Sequence, residues 1–368
     1  MMANRYLVQL TPVGKYYFGS ENSFNAEDKA GGGATKNYLV RSRQYPQQTT
    51  LLGMMRYAIL QQYGLLQQPQ SEWAAKIGAH SFNGLQPDAN GNRVSNWGLI
   101  QQISPLFLLI DGQMFLPAGI SLQLYKKDKS LGQVALMPQG RSGAVADYCT
   151  DEFYWFEQYD PKQQACMLWK QHNGSALLQP SDIFIGCFQV GITKSRQGAP
   201  DEDAFYKEYF YQLKRGAAFA FYVTTSEPLQ HFEKPLLIQS GGDQSLFHLQ
   251  LSEASDNIFE TTQATGKGKF TLLSDAFVKA DEVLPLCTAC ITQSVDFRYM
   301  QTTTATGRYY NVSKKAGDMR KSEKLNLLER GSVLFTDRAE ELEKVLNSPD
   351  IAPYRHAGFN YYSFEKIN

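Results

Sequence analysis

Between Tyr45 and Leu60 the chain reads YPQQTTLLGMMRYAIL, a polar approach followed by apolar residues at spacings of three and four. Leu51, Leu52, Met55, Ile59 and Leu60 share one face of a helix with that period, and Arg56 falls on the other side. Pro46 disfavours helix in the residue before it. Thr49 or Thr50 is the expected N-cap, its hydroxyl accepting from a free backbone N–H. Gly53 costs the helix roughly 1 kcal/mol relative to Ala. Its bare Cα would let another backbone approach closely.

Other stretches alternate with the period of strands. Arg5–Leu10 is one, ended by Pro12 and Gly14, and Tyr38–Val40 resumes strand before the helix. Pro105–Ile110 is apolar, Asp111-Gly112 follows, and Gln113–Leu116 resumes before Pro117. Asp-Gly supplies the positive φ angles of a type I′ hairpin. Ile183–Lys194 and Ala204–Leu213 read as two strands around a polar loop, Ser195–Asp203, so a hairpin protrudes there. In Ala217–Thr225, Phe219, Phe221 and Val223 share one face. Ser226–Pro235 is a candidate boundary, dividing the chain into domains 1–228 and 229–368. Beyond it, Phe247, Leu249 and Leu251 alternate. Lys269–Leu273 is a strand, with Ser274 the expected cap of a following helix. Ser332–Phe335 is another, and Asp337 with Glu340 makes an acidic variant of a capping box. Phe359–Phe364 is the last strand. A short helix is expected around Ser71–Ile77, and Leu122–Pro180 reads as an insertion packed on the first domain. Mixed strands and helices in this order give an α+β fold.

Composition narrows the chemistry. Lys plus Arg and Asp plus Glu both number 36, so net charge gives no general pull towards nucleic acid and any RNA site must be a local patch. No run reaches the ~18 apolar residues of a membrane helix. The N-terminus has no signal-peptide core. The expectation is a cytoplasmic protein without membrane contact. Cys287-Thr-Ala-Cys290 is a lone CxxC lacking the two further ligands of a zinc site, so no metal and no cofactor is expected. Histidines at 80, 172, 231, 248 and 356 are scattered, and no nucleophile elbow or phosphate loop is present. No residue is assigned a catalytic role.

The positive signals concern RNA. At the start of the first helix, free N–H groups, Gln48, Thr49 and Thr50 lie near Arg41 and Arg43, a set able to meet a phosphate backbone. Lys15 and Tyr16 open an aromatic stretch, Lys15–Phe18, close by. Lys194 and Arg196 stand at the protruding loop beside strands bearing Tyr206, Tyr209, Phe210 and Tyr211. Aromatic faces stack on bases at ~1–3 kcal/mol each, although a core position is the bland alternative for most of these rings. Arg298–Lys324 is basic, with Arg298, Arg308, Lys314 and Lys315 among its cations; a solvated loop is the alternative there.

These pieces in this order resemble a known family. VQLTPVGKYYFGSENSF is similar to its opening strand and aromatic turn, and YPQQTTLLGMMRYAIL to its helix of "P, polar, S/T, T/L, G, two residues, R", whose arginine is Arg56. LFLLIDGQMFLPAG resembles its hairpin ending in proline, VGITKSRQGAPDEDAFYKEYFYQL its "GI…R…E…lY" segment, and SGGDQSLFHLQL its "GGE" turn, here Gly241 and Gly242. ERGSVLF and HAGFNYYSF resemble its closing segments. The family is the RAMP subunit that caps the crRNA 5′ end in Cmr-type (type III-B) CRISPR effector complexes, Cmr subunit three. The resemblance implies two ferredoxin-like (RRM-like) domains with a projecting β-hairpin and insertions. It further implies a non-catalytic role: holding the 5′ tag of the crRNA and contacting the large polymerase/cyclase-like subunit and the neighbouring backbone RAMP. Target RNA is met only indirectly. Gly241 and Gly242 join the RNA-binding set on this ground, as does Arg56.

Two other readings compete. A RAMP endoribonuclease processing crRNA precursor would use a histidine base, His80 or His248. A pure scaffold would touch no RNA of its own.

Overall fold

Val8 and Leu10 mark the centre of the structure. The computed structural model describes residues 4–19, 38–78, 86–87, 93–94, 97–124, 131–133, 135–138, 144–146, 153–157, 167–194, 200–229, 232–240, 244–259, 263–302, 307–309, 312–314 and 319–367. Along the first part of the chain run β1 (Asn4–Pro12), β2 (Tyr38–Arg41), β3 (Ile100–Ile103), β4 (Phe107–Ile110), β5 (Gln113–Pro117), β6 (Trp169–Gln171) and β7 (Leu177–Leu178). They are followed by β8 (Phe184–Lys194), β9 (Pro200–Leu213), β10 (Ala217–Thr225), β11 (Leu236–Ser240) and β12 (Ser245–Glu253). The helices of this part are α1 (Gln48–Gln62) and α2 (Gln70–Ile77), with a short turn at Pro180–Ile183.

Nine strands form one sheet in the order β7-β6-β5-β4-β10-β1-β12-β11, with β3 also on β10. All its pairings are antiparallel. Val8 lies opposite Phe221 and Leu251, and Leu10 opposite Phe219 and Leu249. With side chains alternating across the pleat, these residues share one face. Leu51, Leu52, Met55, Ala58 and Ile59 of α1 pack on it. The expected amphipathic helix is thus present and covers the sheet. On the opposite face, Phe107, Ala220 and Tyr222 meet Phe259 and Tyr361 from later in the chain. The Asp111-Gly112 turn forms with both residues at positive φ, 49° and 78°.

Several local expectations need correction. The N-cap of α1 is Gln47, with no side-chain cap bond, and neither Thr49 nor Thr50 caps it. Gln48 supplies the anchor instead. It is fully buried. Its Nε2 donates to the Ser104 carbonyl (2.9 Å) and the Ala357 carbonyl (3.1 Å), and its Oε1 accepts from the Leu106 N–H (3.2 Å). A long amide thus satisfies three backbone groups that Ser or Thr could not reach. Gly53 is exposed with open space around it, so among the described residues no other backbone approaches it. The boundary at 228/229 falls inside the nine-stranded sheet: β11 and β12 pair with each other and β12 pairs with β1. The polar break there separates β10 from β11 in sequence and not in the sheet, because strand pairing is non-local and a break in pattern does not reveal it.

Beyond β12 come β13 (Gly268–Leu272), β14 (Ala289–Ile291), β15 (Ser294–Phe297), β16 (Leu325–Leu328), β17 (Val333–Thr336) and β18 (Tyr362–Lys366). A four-stranded antiparallel sheet, β14-β17-β13-β18, carries α3 (Ala339–Leu346) on one side. Leu342 and Leu346 bury against Phe270, Leu272, Leu334 and Tyr362. Ser274 caps no helix; its hydroxyl accepts from the Tyr361 N–H. Arg338 is the N-cap of α3, and the Glu340 carboxylate accepts from the Gly266 N–H instead of closing a capping box. The fold as a whole is mixed α/β, mostly antiparallel with few helices. No described helix is long and apolar enough to cross a membrane.

The residues before α1 form a seam with the later part of the chain, at Asp296 of β15 and at Glu329 and Arg330 between β16 and β17. The Arg43 guanidinium donates to the Asp296 carbonyl (2.8 Å). The Tyr45 hydroxyl donates to the Glu329 carboxylate (3.4 Å), and the Arg330 guanidinium lies 4.5 Å from the Tyr45 ring centroid. Burial, reinforced by Asp275, raises the Glu329 pKa, against the opposing pull of Arg330 and Arg43. A carboxyl with a raised folded pKa keeps its proton while the unfolded chain loses it. Stability is therefore lost as pH rises from the unfolded value, about 4.3, through the folded one. Glu329→Gln is expected to raise the melting temperature at about pH 7 and to leave it unchanged at about pH 3. Equal shifts at both pH values would place the effect outside this titration.

Candidate nucleic-acid interface

The expected hairpin is present and longer than its sequence pattern. β9 begins at Pro200, so residues read as loop belong to the strand. β8 pairs antiparallel with β9 through ten matched residues, with a register shift between Ile192 and Lys194. β2 then lies parallel to β9 on its other side, placing Arg41 beside Tyr209. The short apolar run before α1 thus joins the hairpin.

Residues opposite one another share a face. One face carries Gly186 with Tyr211, Phe188 with Tyr209, and Val190 with Lys207. Phe188 is 69% exposed, its ring edge-on to Tyr209 at 4.6 Å, and Tyr209 is edge-on to Tyr211 at 5.1 Å. The Arg41 guanidinium covers the Tyr209 ring at 5.1 Å. A Cβ at Gly186 would overlap the Tyr209 hydroxyl, so the bare Cα there lets Tyr209 lie across β8. Burial, with neighbouring Tyr209, raises the Tyr211 pKa above its ordinary value. On the other face Phe210 is buried, and the Lys15 ammonium sits 4.0 Å from its ring. The result is three linked rings with Arg41 and Lys207 on one face of the hairpin and Lys15 on the other. Such a surface can stack bases and hold phosphate.

The other sequence-predicted residues scatter. Tyr16 is fully buried, packs tilted against Phe18 in the core and donates its hydroxyl to the Gln44 carbonyl (2.6 Å). Neither it nor Gln48 reaches the surface, because both fill the seat between α1 and the sheet. Thr49 and Thr50 are half-buried. Arg43 is committed to the seam. Arg56 is half-buried, and burial lowers its pKa to about 10. Lys194 lies on β8, and Arg308 and Lys314 lie on the paired strands Gly307–Tyr309 and Val312–Lys314. Arg298 is half-buried just after β15. Arg196, Gly241, Gly242 and Lys315 lie outside the described residues, as does His80. Among the described residues no three His, Cys, Asp or Glu side chains gather as a metal cluster.

Sequence reasoning missed Phe188 and Val190. Ile183–Lys194 reads like any buried strand, and nothing in its pattern marks these positions as exposed.

Fold and surface define the class: a mostly antiparallel α/β protein whose projecting strands carry aromatic rings and cations. The family called CRISPR-associated protein (Cas_Cmr3) matches residues 8–363, and the chain belongs to it. The resemblance read from its motifs is borne out. Among solved structures, a chain of "Cryo-EM structure of the Type III-B Cmr-beta bound to cognate target RNA" aligns with TM-score 0.48 and 12% identity, over 98% of this chain and 99% of that one. A chain of the same complex with target RNA and AMPPnP aligns with TM-score 0.49 and 11% identity, over 98% of each. A chain of the apo state aligns with TM-score 0.30 and 10% identity, over 70% of this chain and 99% of that one. No curated protein matches the sequence.

Proposed function

We propose that this chain is the non-catalytic subunit of a type III-B CRISPR effector that holds the 5′ tag of the crRNA. In this reading it docks the large polymerase/cyclase-like subunit and the neighbouring backbone RAMP, and its two sheets belong to ferredoxin-like domains. The observation that carries the reading is Arg41 seated over Tyr209 on an exposed aromatic hairpin, in a chain of the Cas_Cmr3 family. Lys207 extends the Arg41 face and Lys15 adds a cation on the other face, and Lys194 and Arg196 stay candidates from the sequence. Arg298, Arg308, Lys314 and Lys315 make a second candidate stretch, Gly241 and Gly242 stay candidates by resemblance, and Tyr16 and Gln48 leave the set. Among the described residues nothing favours the endoribonuclease reading: His248 projects from β12 opposite Leu237 and Thr11, and His80 lies outside them.

Removing one phosphate contact reduces the salt slope of single-strand binding by about 0.7. Arg41→Ala in the assembled complex is expected to weaken binding of tag-bearing RNA and to lower that slope by about this amount. Lys344→Ala, at an exposed position of α3, is the control. Unchanged affinity and slope in the Arg41 variant would remove it from the site.

A further inference from the structure

The hairpin has a second working edge. Among the described residues β8 pairs with β9 alone, leaving its other long side open. Which backbone groups point there follows from the far side of β9. The Tyr209 carbonyl accepts from the Ser42 N–H (2.8 Å), and Tyr211 exchanges both backbone bonds with Tyr16 (2.8 and 3.1 Å). Tyr209 and Tyr211 therefore turn their main-chain groups away from β8. Their partners Phe188 and Gly186 form the non-hydrogen-bonded pairs of this ladder, with N–H and C=O directed outwards. Val190 follows by alternation.

The side chains along this edge are apolar and exposed: Phe188 at 69%, Val190 at 63% and Ile185 at 43%. From Phe184 to Thr193 the strand has no charged residue and no proline. Edge strands are ordinarily protected by Lys, Pro or a bulge, and here the register shift comes only at the tip, between Ile192 and Lys194. The cations Lys207, Arg41 and Lys15 sit on β9, β2 and the turn after β1, none on β8 before Lys194. A row that alternates outward N–H with outward C=O, without a cation, repels phosphate as often as it binds it. An extended polypeptide satisfies both groups.

We propose that the open edge of β8 receives an extended, uncharged strand from another protein subunit of the effector, with apolar residues at alternate positions beside Phe188 and Val190. This rests on the chain working within a multi-subunit effector. RNA would then be held on the β9–β2 side of the hairpin and protein on the β8 side.

The test is backbone amide exchange across 185–191, in the free chain and in the assembled complex prepared without RNA. The outward amides of Gly186, Phe188 and Val190 are expected to slow by about tenfold or more on assembly. Those of Ile185, Cys187 and Gln189, already bonded to β9, are expected to change little. Val190→Pro removes one outward N–H while sparing the β9 ladder; it should abolish the slowing and weaken retention of the chain in the complex. Val190→Lys should weaken retention too. Protection that appears only after RNA is loaded would assign the edge to nucleic acid and overturn the proposal. Concentration-dependent protection in the free chain would assign it to a second copy and overturn the proposal equally. No protection in a complex that retains the chain overturns the edge and leaves the functional reading intact. A wild-type chain that does not join the other subunits removes both.

Discussion

Asp275→Ala is expected to destabilise the chain by about 3–5 kcal/mol, the cost of leaving a buried charge without its partner. The Arg330 side chain is fully buried, and Asp275 nearly so. Oδ1 of Asp275 accepts from the Arg330 backbone N–H (3.1 Å) and from Nε (3.2 Å), while Oδ2 accepts from Nη2 (3.4 Å). The Tyr45 ring faces the same guanidinium. Removing the carboxylate strands a guanidinium that no solvent reaches. The double variant Asp275→Ala with Arg330→Met removes both charges, so it should recover part of the loss. Denaturant melts of the three chains check this. A single-variant cost below about 1 kcal/mol would show that the seam holds without the pair.

Gly358→Ala is expected to cost about 3 kcal/mol or more, through a left-handed backbone and a collision together. Gly358 has φ 88°. A Cβ there would overlap the Gln48 amide nitrogen and press on the Ser104 carbonyl. The amide would have to leave, and the buried carbonyls of Ser104 and Ala357 would lose their donor. This ties the end of the chain to the start of α1. In a Gln48→Ala background the collision with the amide is gone, so Gly358→Ala should cost at least ~1 kcal/mol less than in the native chain. Strict additivity would mean that Gln48 and Gly358 do not act as one fitting.

Much of this architecture is legible in the sequence because it is periodic or carries a specific turn. Helix α1 shows its apolar face at Leu51, Met55 and Ile59, and Asp111-Gly112 shows a hairpin. What stays hidden depends on partners far along the chain. Gln48 reads as a surface amide because its acceptors are 56 and 309 residues away. Tyr16 reads as a candidate stacking ring, yet it docks among Phe18, Phe219 and Phe247. Strands β11 and β12 follow a polar break and still pair back to β1. The site divides likewise. Arg41 and Tyr209 are visible as residue types, but only the parallel pairing of β2 with β9 brings them together. Phe188 is concealed by an apolar run that a core strand would share.

The proposed role stands or falls on whether the hairpin face built by Arg41 and Tyr209 holds the crRNA tag. Photocrosslinking in the assembled complex addresses this, with a photoreactive uridine placed in the 5′ tag and the crosslinked peptides sequenced. Crosslinks are expected to the strands holding Arg41 and Tyr209, and they should be lost when Tyr209 is replaced by Ala while the chain stays in the complex. A tag that crosslinks only to other subunits, with this chain present, would refute the role.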